Sequence, residues 1–332
     1  MASICITTTA VKTEWSPYAL SNYNRVLRAA VADSIRQHTL SESASDADCV
    51  LFVESRCRFH TDVLASAIYR EHKSKCLIFD LQDNTIPRIP GIYMGIPIEL
   101  HGFPIYEYGF YLRVFDNLVI QNEPTFSQAE YLFSFVGSSS NSASVRNRIL
   151  RLRHEACFLE DSSSGQSDRD TRYAELLHKS KFVLCPRGVG ASTWRVFETM
   201  RAGRVPVIVS DEWCPPRGPS WHEFSLKVDE KDIDQIPDIL ESVKERAREM
   251  GTKARQAWEA HFNLTTSFHW IAEACLRIQK IRERYHHVER RSILGESILP
   301  LYRKEFYKEM LRELPRRTVT NKWISEIISG VR

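Results

Sequence analysis

Two arginines, several hydroxyl groups and one carboxylate lie close together in the chain between Arg187 and Glu198. Arg195 and Glu198 are three residues apart, so a helix would present them side by side. In that arrangement Arg187 and Arg195 could bind an anionic pyrophosphate, and Glu198 could accept hydrogen bonds from both hydroxyls of a ribose. The alternative is an intrahelical pair of Arg195 and Glu198 that only supports the helix. Spacing alone leaves both interpretations open.

The elements that would position these residues are a strand, a glycine loop, a helix and a second strand. Short apolar runs bounded by proline and glycine are typical of buried parallel strands, and a glycine after a helical segment favours a left-handed C-terminal residue. In chain order we predict a strand at 182–185, a break at Pro186 and Gly188, capping by Ser192 and Thr193, a helix at 194–202, a left-handed Gly203 and a strand at 205–209.

The residue order of this region resembles that of the exostosin family of glycosyltransferases. The similarity is close across residues 171–241, where the chain reads YAELLHKSKFVLCPRG, then STWRVFETMRAGRVPVIVSDEW, then WHEFSLKV and DIDQIPDIL. An earlier segment, LFSFVG at 132–137 followed by Arg146 and Leu150, is similar to the strand, glycine and arginine that open the same domain in that family.

The resemblance implies a GT-B fold, in which two Rossmann-like α/β domains face each other across a cleft. It also implies inverting transfer from a nucleotide-activated sugar, most often a UDP-sugar. By position, Glu198 would hold the ribose, and Arg187 and Arg195 would lie near the phosphates. The chain departs from the family at Trp194, where relatives often have a smaller residue or proline, so the resemblance leaves the wall of the donor pocket open.

We therefore predict a nucleotide-sugar site in the loops of the second domain. The serine-rich stretch 138–144 follows a predicted strand and could contact phosphate or sugar, or it could be a flexible turn. The predicted nucleotide-binding residues are Gly137, Ser138, Arg146, Arg187, Gly188, Ser192, Thr193, Arg195 and Glu198.

Length and composition agree with two α/β domains. A chain of 332 residues is long for one core, and its 43% hydrophobic and 26% charged residues are typical of a globular protein. Strand candidates alternate with helices, which favours parallel sheets. We predict strands at 3–8, 49–54, 75–80, 117–121, 131–137, 156–160, 181–186, 205–210 and 224–228, and early helices at 22–37 and 61–71. The predicted domains are an acceptor-side domain at 1–125, a nucleotide-sugar domain at 126–285 and a basic helical tail at 286–332.

An inverting transfer needs a base that takes the proton of the acceptor hydroxyl. Ligands of parallel sheets gather at the carboxyl ends of the strands. Glu54 ends one predicted strand and is the first candidate, and Asp80, which ends the next, is the second. Asp83, His60 and His101 are further candidates, and each has a structural alternative as a cap or loop residue. The stretch 89–104 is predicted to be an irregular loop that shapes the acceptor site or only connects elements.

No metal and no other cofactor are predicted. The eight cysteines are scattered without a CxxC pair, which gives no case for zinc. His286 and His287 are adjacent and would point apart on a helix. Asp168 to Asp170 has the D-x-D form used by metal-dependent transferases of another fold, but it lies in the polar stretch 160–172, which we predict to be a surface loop.

The expected partners are a nucleotide-sugar donor and a glycan acceptor. A net charge of +3 gives no case for nucleic acid. The apolar runs are of strand length, and the N-terminus MASICITTTAV lacks the features of a signal peptide, so we expect no transmembrane span and a cytoplasmic location, or the Golgi lumen if an anchor has been removed. The tail at 286–332 is expected to pack on the first domain, with peripheral membrane or protein contact as the alternative.

The sequence thus predicts an inverting, metal-independent glycosyltransferase that moves a hexosyl or pentosyl group from a UDP-sugar to a hydroxyl of a glycan. Two alternatives stay open. One is a non-catalytic partner subunit that only binds a nucleotide sugar. The other is a different GT-B enzyme, such as a nucleotide-sugar epimerase.

Overall fold

The structure, a computed structural model, describes residues 1–10, 16–55, 60–83, 85, 87–96, 105–116, 120, 129–164 and 169–284. Within these residues the chain forms two parallel sheets with helices between the strands. This is the α/β class that the alternation of strands and helices predicted.

The first sheet has six strands in the order β2-β1-β3-β4-β5-β6, and every pairing is parallel. Every residue of β3 and β4 is buried, because other elements cover both faces of the sheet. This is why the sequences of these two strands are continuous apolar runs. The strands of this sheet are β1 (Ser3–Thr7), β2 (Thr39–Leu40), β3 (Cys49–Glu54), β4 (Cys76–Asp80), β5 (Gly91–Tyr93) and β6 (Tyr106–Tyr108).

The helices of the first half differ from the predicted ones at identifiable residues. The first, α1 (Ser16–Val31), begins and ends earlier than the predicted 22–37. The second is divided into α2 (Thr61–Ala65) and α3 (Ala67–His72) because Ser66 has an extended backbone. The Ser66 hydroxyl accepts a hydrogen bond from the Tyr69 amide, so it ends one helix and caps the next.

The prediction of an irregular loop at 89–104 is wrong for its first part. β5 lies inside this stretch, is buried, and pairs with β4 on one side and β6 on the other. A strand of three residues is too short for any periodicity to reveal it. Gly91 allows the close pairing, since a Cβ there would lie 2.0 Å from the Ile78 carbonyl oxygen. Residues 97–104, with His101, and all of the predicted strand 117–121 except Ile120 lie outside the described residues.

The second sheet has five parallel strands in the order β11-β10-β9-β7-β8. All five predicted strands of this half are present, with bounds that differ by two residues at most. They are β7 (Tyr131–Gly137), β8 (Cys157–Asp161), β9 (Ser180–Pro186), β10 (Val205–Val209) and β11 (Leu226–Val228). Side chains of β7, β9 and β10 form the core of this half with residues of the flanking helices.

Six helices lie in the second half of the chain, within the described residues: α4 (Ala143–Leu150), α5 (Arg169–His178), α6 (Arg195–Arg201), α7 (Ile236–Val243), α8 (Ala247–His261) and α9 (Ser267–Arg284). The prediction of a surface loop over 160–172 is wrong at both ends. Asp161 still belongs to β8, and Arg169 and Asp170 are in α5 because Ala174 and Leu177, one turn further on, bury that helix. Asp168 lies outside the described residues.

The last described helix, α9, contacts the first half of the chain. Arg277 donates two hydrogen bonds of 2.9 Å to the Glu107 carboxylate in β6. The Cys49 thiol donates to Gln279 Oε1 at 2.7 Å. Packing on the first domain was expected of the segment 286–332, which lies outside the described residues. The predicted domain limits stay predictions. Within the described residues no helix is long and apolar enough to span a bilayer.

Candidate functional site

The carboxyl ends of β7 and β9 lie side by side, since the register of these strands brings Gly137 level with Pro186. The loops that follow them carry Ser138 on one side and Arg187 on the other. This edge of a parallel sheet is where ligands of such folds bind, because side chains and free backbone groups of several loops converge there.

Arg146 reaches from α4 into the space between the two loops. Its guanidinium donates from Nε to the Arg187 carbonyl at 3.1 Å and from Nη1 to the Ser138 carbonyl at 2.8 Å. Its side chain is buried, with 4% of the residue exposed. Arg146 therefore ties the two strand-end loops together and places a positive charge between them.

Arg195, the first residue of α6, adds a second buried guanidinium. Its Nη2 and Nε donate to the Val136 carbonyl at 2.8 and 3.2 Å, and its charge lies 5.3 Å from the centre of the Phe135 ring. A Cβ on Gly137 would lie 2.6 Å from this Nη2. The predicted Gly137 is therefore required because the guanidinium fills the space that a side chain would need.

The cluster is positively charged. Arg187 pairs with Glu230, with 2.6 Å between Nε and Oε1. Among the described residues, neither Arg146 nor Arg195 forms an ion pair with a carboxylate. Burial, together with the nearby charges of Arg195 and Arg187, lowers the pKa of Arg146 to about 10, well above neutrality. Two buried guanidinium groups that have no carboxylate partner in the described part of the chain are suited to binding an anion.

Glu198 lies one turn after Arg195 and is buried on α6. Its negative charge acts on Tyr173 of α5, whose pKa is raised well above its usual range, first by burial and then by Glu198. The Arg195 guanidinium lies 5.9 Å from the Tyr173 ring. The structure thus brings the predicted Arg195 and Glu198 together with Tyr173, a residue that the sequence reasoning missed as a site candidate.

The serine loop after β7 is held by Asp161 at the end of β8. The hydroxyls of Ser139 and Ser163 each donate to this carboxylate at 2.5 Å, and the Ser139 amide donates at 3.1 Å. These hydrogen bonds lower the pKa of Asp161 below its usual range. The predicted Ser138 joins this network through Ser163 at 3.1 Å. The loop is therefore an organised structure, and Asp161, at a strand end, was not predicted.

Ser192 and Thr193 are buried before α6, but they do not cap it. The helix begins at Arg195, its N-cap is Trp194, and no side chain makes a capping hydrogen bond there. The helix is also shorter than predicted, ending at Arg201. The left-handed conformation predicted for Gly203 is confirmed by its φ of 65°.

The same loop contacts the first half of the chain at Gly190. A Cβ on Gly190 would lie 2.1 Å from the Asp83 carbonyl oxygen, whereas a Cβ on the predicted Gly188 would have no neighbour closer than 3.7 Å, which is Arg146 Nη2. Asp83 follows β4 and accepts a hydrogen bond from the Tyr111 hydroxyl at 2.7 Å. The carboxyl-end loops of the two sheets therefore meet at this contact.

Trp194 also joins the two halves. The Arg113 guanidinium lies 5.3 Å from the centre of its ring, and the Tyr111 ring packs edge-on at 6.2 Å. The large residue at this position, which departs from the family pattern, is thus accommodated against Arg113 and Tyr111.

Glu54 ends β3 at this same edge of the first sheet. It is buried, with 3% exposed, and its Oε1 accepts hydrogen bonds from the Thr9 amide at 2.6 Å and the Thr9 hydroxyl at 3.0 Å. Burial raises the pKa of Glu54 to about 7, the hydrogen bonds from Thr9 oppose this, and the charge of Asp80 adds to it. A carboxyl group of this kind exchanges a proton near neutral pH.

Asp80 is the residue directly opposite Glu54 in the sheet. It is fully buried, and its Oδ2 is 2.6 Å from Nε2 of His60, which is also fully buried. The Gln82 amide donates to its Oδ1 at 2.9 Å. The predicted candidates Asp80 and His60 thus form a buried pair with each other. The carboxylate of Asp83 accepts a hydrogen bond from Tyr111.

Two parallel α/β sheets that meet at their carboxyl-end loops are the arrangement of the GT-B fold. Residues 103–243 match the Exostosin GT47 domain. This match covers less than half of the chain and agrees with the predicted resemblance to the exostosin family of glycosyltransferases.

Individual proteins show the same similarity. The chain is 37% identical to the Exostosin-1 homolog of Caenorhabditis elegans over 126 residues, which are 36% of this chain and 32% of that protein. It is 26% identical to Exostosin-1 of Drosophila melanogaster over 226 residues, 60% of this chain and 29% of that protein. The chain thus matches about a third of the length of these relatives.

The chain is also similar to solved structures. A glycosyltransferase from Rickettsia africae superposes with a TM-score of 0.42 and 10% identity, covering 88% of this chain and 99% of that one. A similarity this weak carries no argument about ligands or activity.

Proposed function

We propose that this chain transfers a sugar from a UDP-sugar to a hydroxyl of a glycan acceptor with inversion at the anomeric carbon. The observation that carries the proposal is the pair of buried guanidinium groups, Arg146 and Arg195, which have no carboxylate partner among the described residues. A diphosphate would supply the missing negative charge, and Glu198 would bind the ribose hydroxyls beside it.

The arginine cluster also has a role in the reaction. As the bond to the sugar breaks, negative charge develops on the leaving diphosphate. Positive groups that are already fixed by Val136, Ser138 and Arg187 would stabilise this charge without reorganising. The proposed transfer therefore needs no metal at the diphosphate.

Glu54 is the proposed base. An inverting displacement takes one proton from the acceptor hydroxyl as the oxygen attacks the anomeric carbon. A pKa of about 7 lets the carboxylate exist at neutral pH and still hold a proton well after the transfer. Asp80 supports this role through its position, because its charge lies beside Glu54 while its own oxygens are bonded to His60 and Gln82.

Incubation with a panel of UDP-sugars, with and without glycan acceptors, tests the proposal. A transferase releases UDP in proportion to glycan product, and release depends on the acceptor apart from slow hydrolysis. An epimerase would change the sugar without releasing UDP, and a binding subunit would do neither. The absence of acceptor-dependent UDP release across the panel, from protein that binds UDP, would refute the transferase in favour of the binding subunit.

A further inference from the structure

A second group of polar residues lies away from the candidate site, where α9 packs on the first sheet. His38 comes directly before β2, and His269 and Glu273 are one helical turn apart on α9. One possible ligand atom from each of the three side chains lies within 4.8 Å of the others. His38 Nε2 and Glu273 Oε1 are 3.1 Å apart.

The two imidazoles are buried and incompletely bonded. His38 is 7% exposed and His269 is 9% exposed. Within the described residues, Nδ1 of each ring is buried and has no hydrogen-bond partner. A buried polar atom without a partner costs free energy, which a bound ligand would recover. The ring centres are 5.2 Å apart, so the two rings are direct neighbours.

The donor atoms of the three side chains suit a metal. Imidazole binds metal ions in the neutral form, and zinc binds well to two histidines and one glutamate. Zinc-to-ligand distances near 2.0–2.1 Å put the ligand atoms of a tetrahedral site about 3.4 Å apart, so small side-chain rotations suffice here.

We infer that His38, His269 and Glu273 form a zinc site that fastens α9 to the first sheet. The neighbouring cation does not compete for the carboxylate of Glu273, because Arg277 is engaged with Glu107 through two hydrogen bonds. Water would complete the tetrahedron. The spacing of residue 38 from residues 269 and 273 hides the set from any sequence motif.

The site has a structural role because it lies at the opposite edge of the sheet from Glu54. The pairing of Ser3 with Thr39 puts His38 level with Ala2, just before β1. The pairing of Thr7 with Phe52 puts Glu54 level with Thr9, just after β1. Ala2 and Thr9 are seven residues apart, which corresponds to roughly 23 Å along a strand. Zinc there would stabilise the docking of α9 and would not take part in sugar transfer.

The test is a zinc titration of the full chain after treatment with a chelator, in competition with a chromophoric chelator. We expect one zinc ion to bind, and we expect His269→Gln and Glu273→Gln each to weaken binding by more than about tenfold. His154→Gln is the matched control, since His154 forms a similar pair with Glu241 at 3.3 Å but has no third ligand in the described residues. Zinc should also raise the thermal midpoint of the wild type but not of the two variants.

Cobalt gives an independent measure of coordination. Co²⁺ in a tetrahedral site with nitrogen ligands absorbs visible light, so the wild type should show this absorption and His38→Gln should lose it. Circular dichroism without metal shows whether each variant is folded. A wild type that binds no zinc, or zinc affinity that is unchanged in folded variants, would overturn the site.

Discussion

At the scale of single residues, the candidate site consists of ionisable side chains that are buried in the fold. Arg146 and Arg195 are buried cations fixed by backbone carbonyls, and Glu54 is a buried acid with a pKa near 7. The sequence could indicate the types of these residues and their strand-end positions. It could not indicate the proton affinity of Glu54, because that depends first on burial in the fold and then on Thr9 and Asp80, which are distant in the chain.

Glu54→Gln tests the base. The amide keeps the size of the side chain and part of its hydrogen bonding but cannot take a proton. Turnover should fall by roughly a hundredfold or more, while affinity for the donor stays near that of the wild type. Asp80→Asn should have the milder effect on turnover. Full turnover by Glu54→Gln at saturating donor would remove Glu54 from the mechanism.

The displaced pKa of Glu54 also predicts a pH dependence. Folding raises the pKa of Glu54 from 4.5 to about 7, so the folded state holds the proton more tightly than the unfolded state. The stabilisation from this proton is fully present below pH 4.5 and is lost as the pH rises through 7. Between these two pH values the free energy of unfolding should fall by about 3 kcal/mol more in the wild type than in Glu54→Gln. Denaturant unfolding at both pH values measures this. Equal losses in the two proteins would mean that Glu54 has an ordinary pKa.

Glu198→Ala tests the ribose contact. The variant removes a charged hydrogen-bond acceptor, so UDP affinity should fall by about 1.5–3 kcal/mol. Calorimetry measures it, with Glu259→Ala on the exposed face of α8 as the control. Unchanged UDP affinity in a folded Glu198→Ala protein would show that this carboxylate only supports its own helix.

At the scale of elements, long apolar strands were predictable and short ones were not. β3 and β7 have the bounds that the sequence predicted, because their buried runs are long enough to recognise. β5 has three residues, and its burial comes from pairing with two neighbours. The start of α5 was likewise concealed by polar residues ahead of its buried turn. Local patterns fail where tertiary contacts decide the structure.

Because the two strand-end loops are in contact, alanine substitutions at two glycines of one loop should differ in their effect on stability. Gly190→Ala would place a methyl group 2.1 Å from the Asp83 carbonyl, so the loops must separate, at a cost of about 1–3 kcal/mol in the free energy of unfolding. Gly188→Ala has room, with 3.7 Å to its closest neighbour, and should change stability by less than about 0.5 kcal/mol. Denaturant unfolding measures both. Equal effects would mean that the loops do not meet as described.

At the scale of the whole molecule, the two halves are joined by α9, by the loop contact at Gly190 and by the ring of Trp194. The resemblance in sequence predicted the family and the two-sheet fold, since both depend on residues 171–241 and on the alternation of elements. It did not predict that α9 would bring His269 and Glu273 to His38, because that contact joins distant parts of the chain. The cytoplasmic location stays a prediction.

The separation of the two sites predicts the response to chelators. EDTA should leave turnover nearly unchanged at temperatures well below unfolding, because in the proposed transfer arginines neutralise the diphosphate and the inferred zinc lies at the far edge of the sheet. The thermal midpoint should nevertheless decrease. Complete loss of turnover in EDTA, restored by manganese or magnesium while the protein remains folded, would contradict the metal-independent transfer.

The proposed diphosphate site is tested most directly by calorimetric titration of UDP and of uridine into the wild type, Arg195→Gln and Arg148→Gln. Arg148 is the control because it lies on α4 two residues from Arg146 but points to Asp234, at 2.7 Å. We predict that the wild type binds UDP much more tightly than uridine, that Arg195→Gln weakens UDP binding by about tenfold or more, and that Arg148→Gln leaves it unchanged. Equal affinity for UDP and uridine, or an unchanged UDP affinity in folded Arg195→Gln, would contradict a diphosphate site at the arginine cluster.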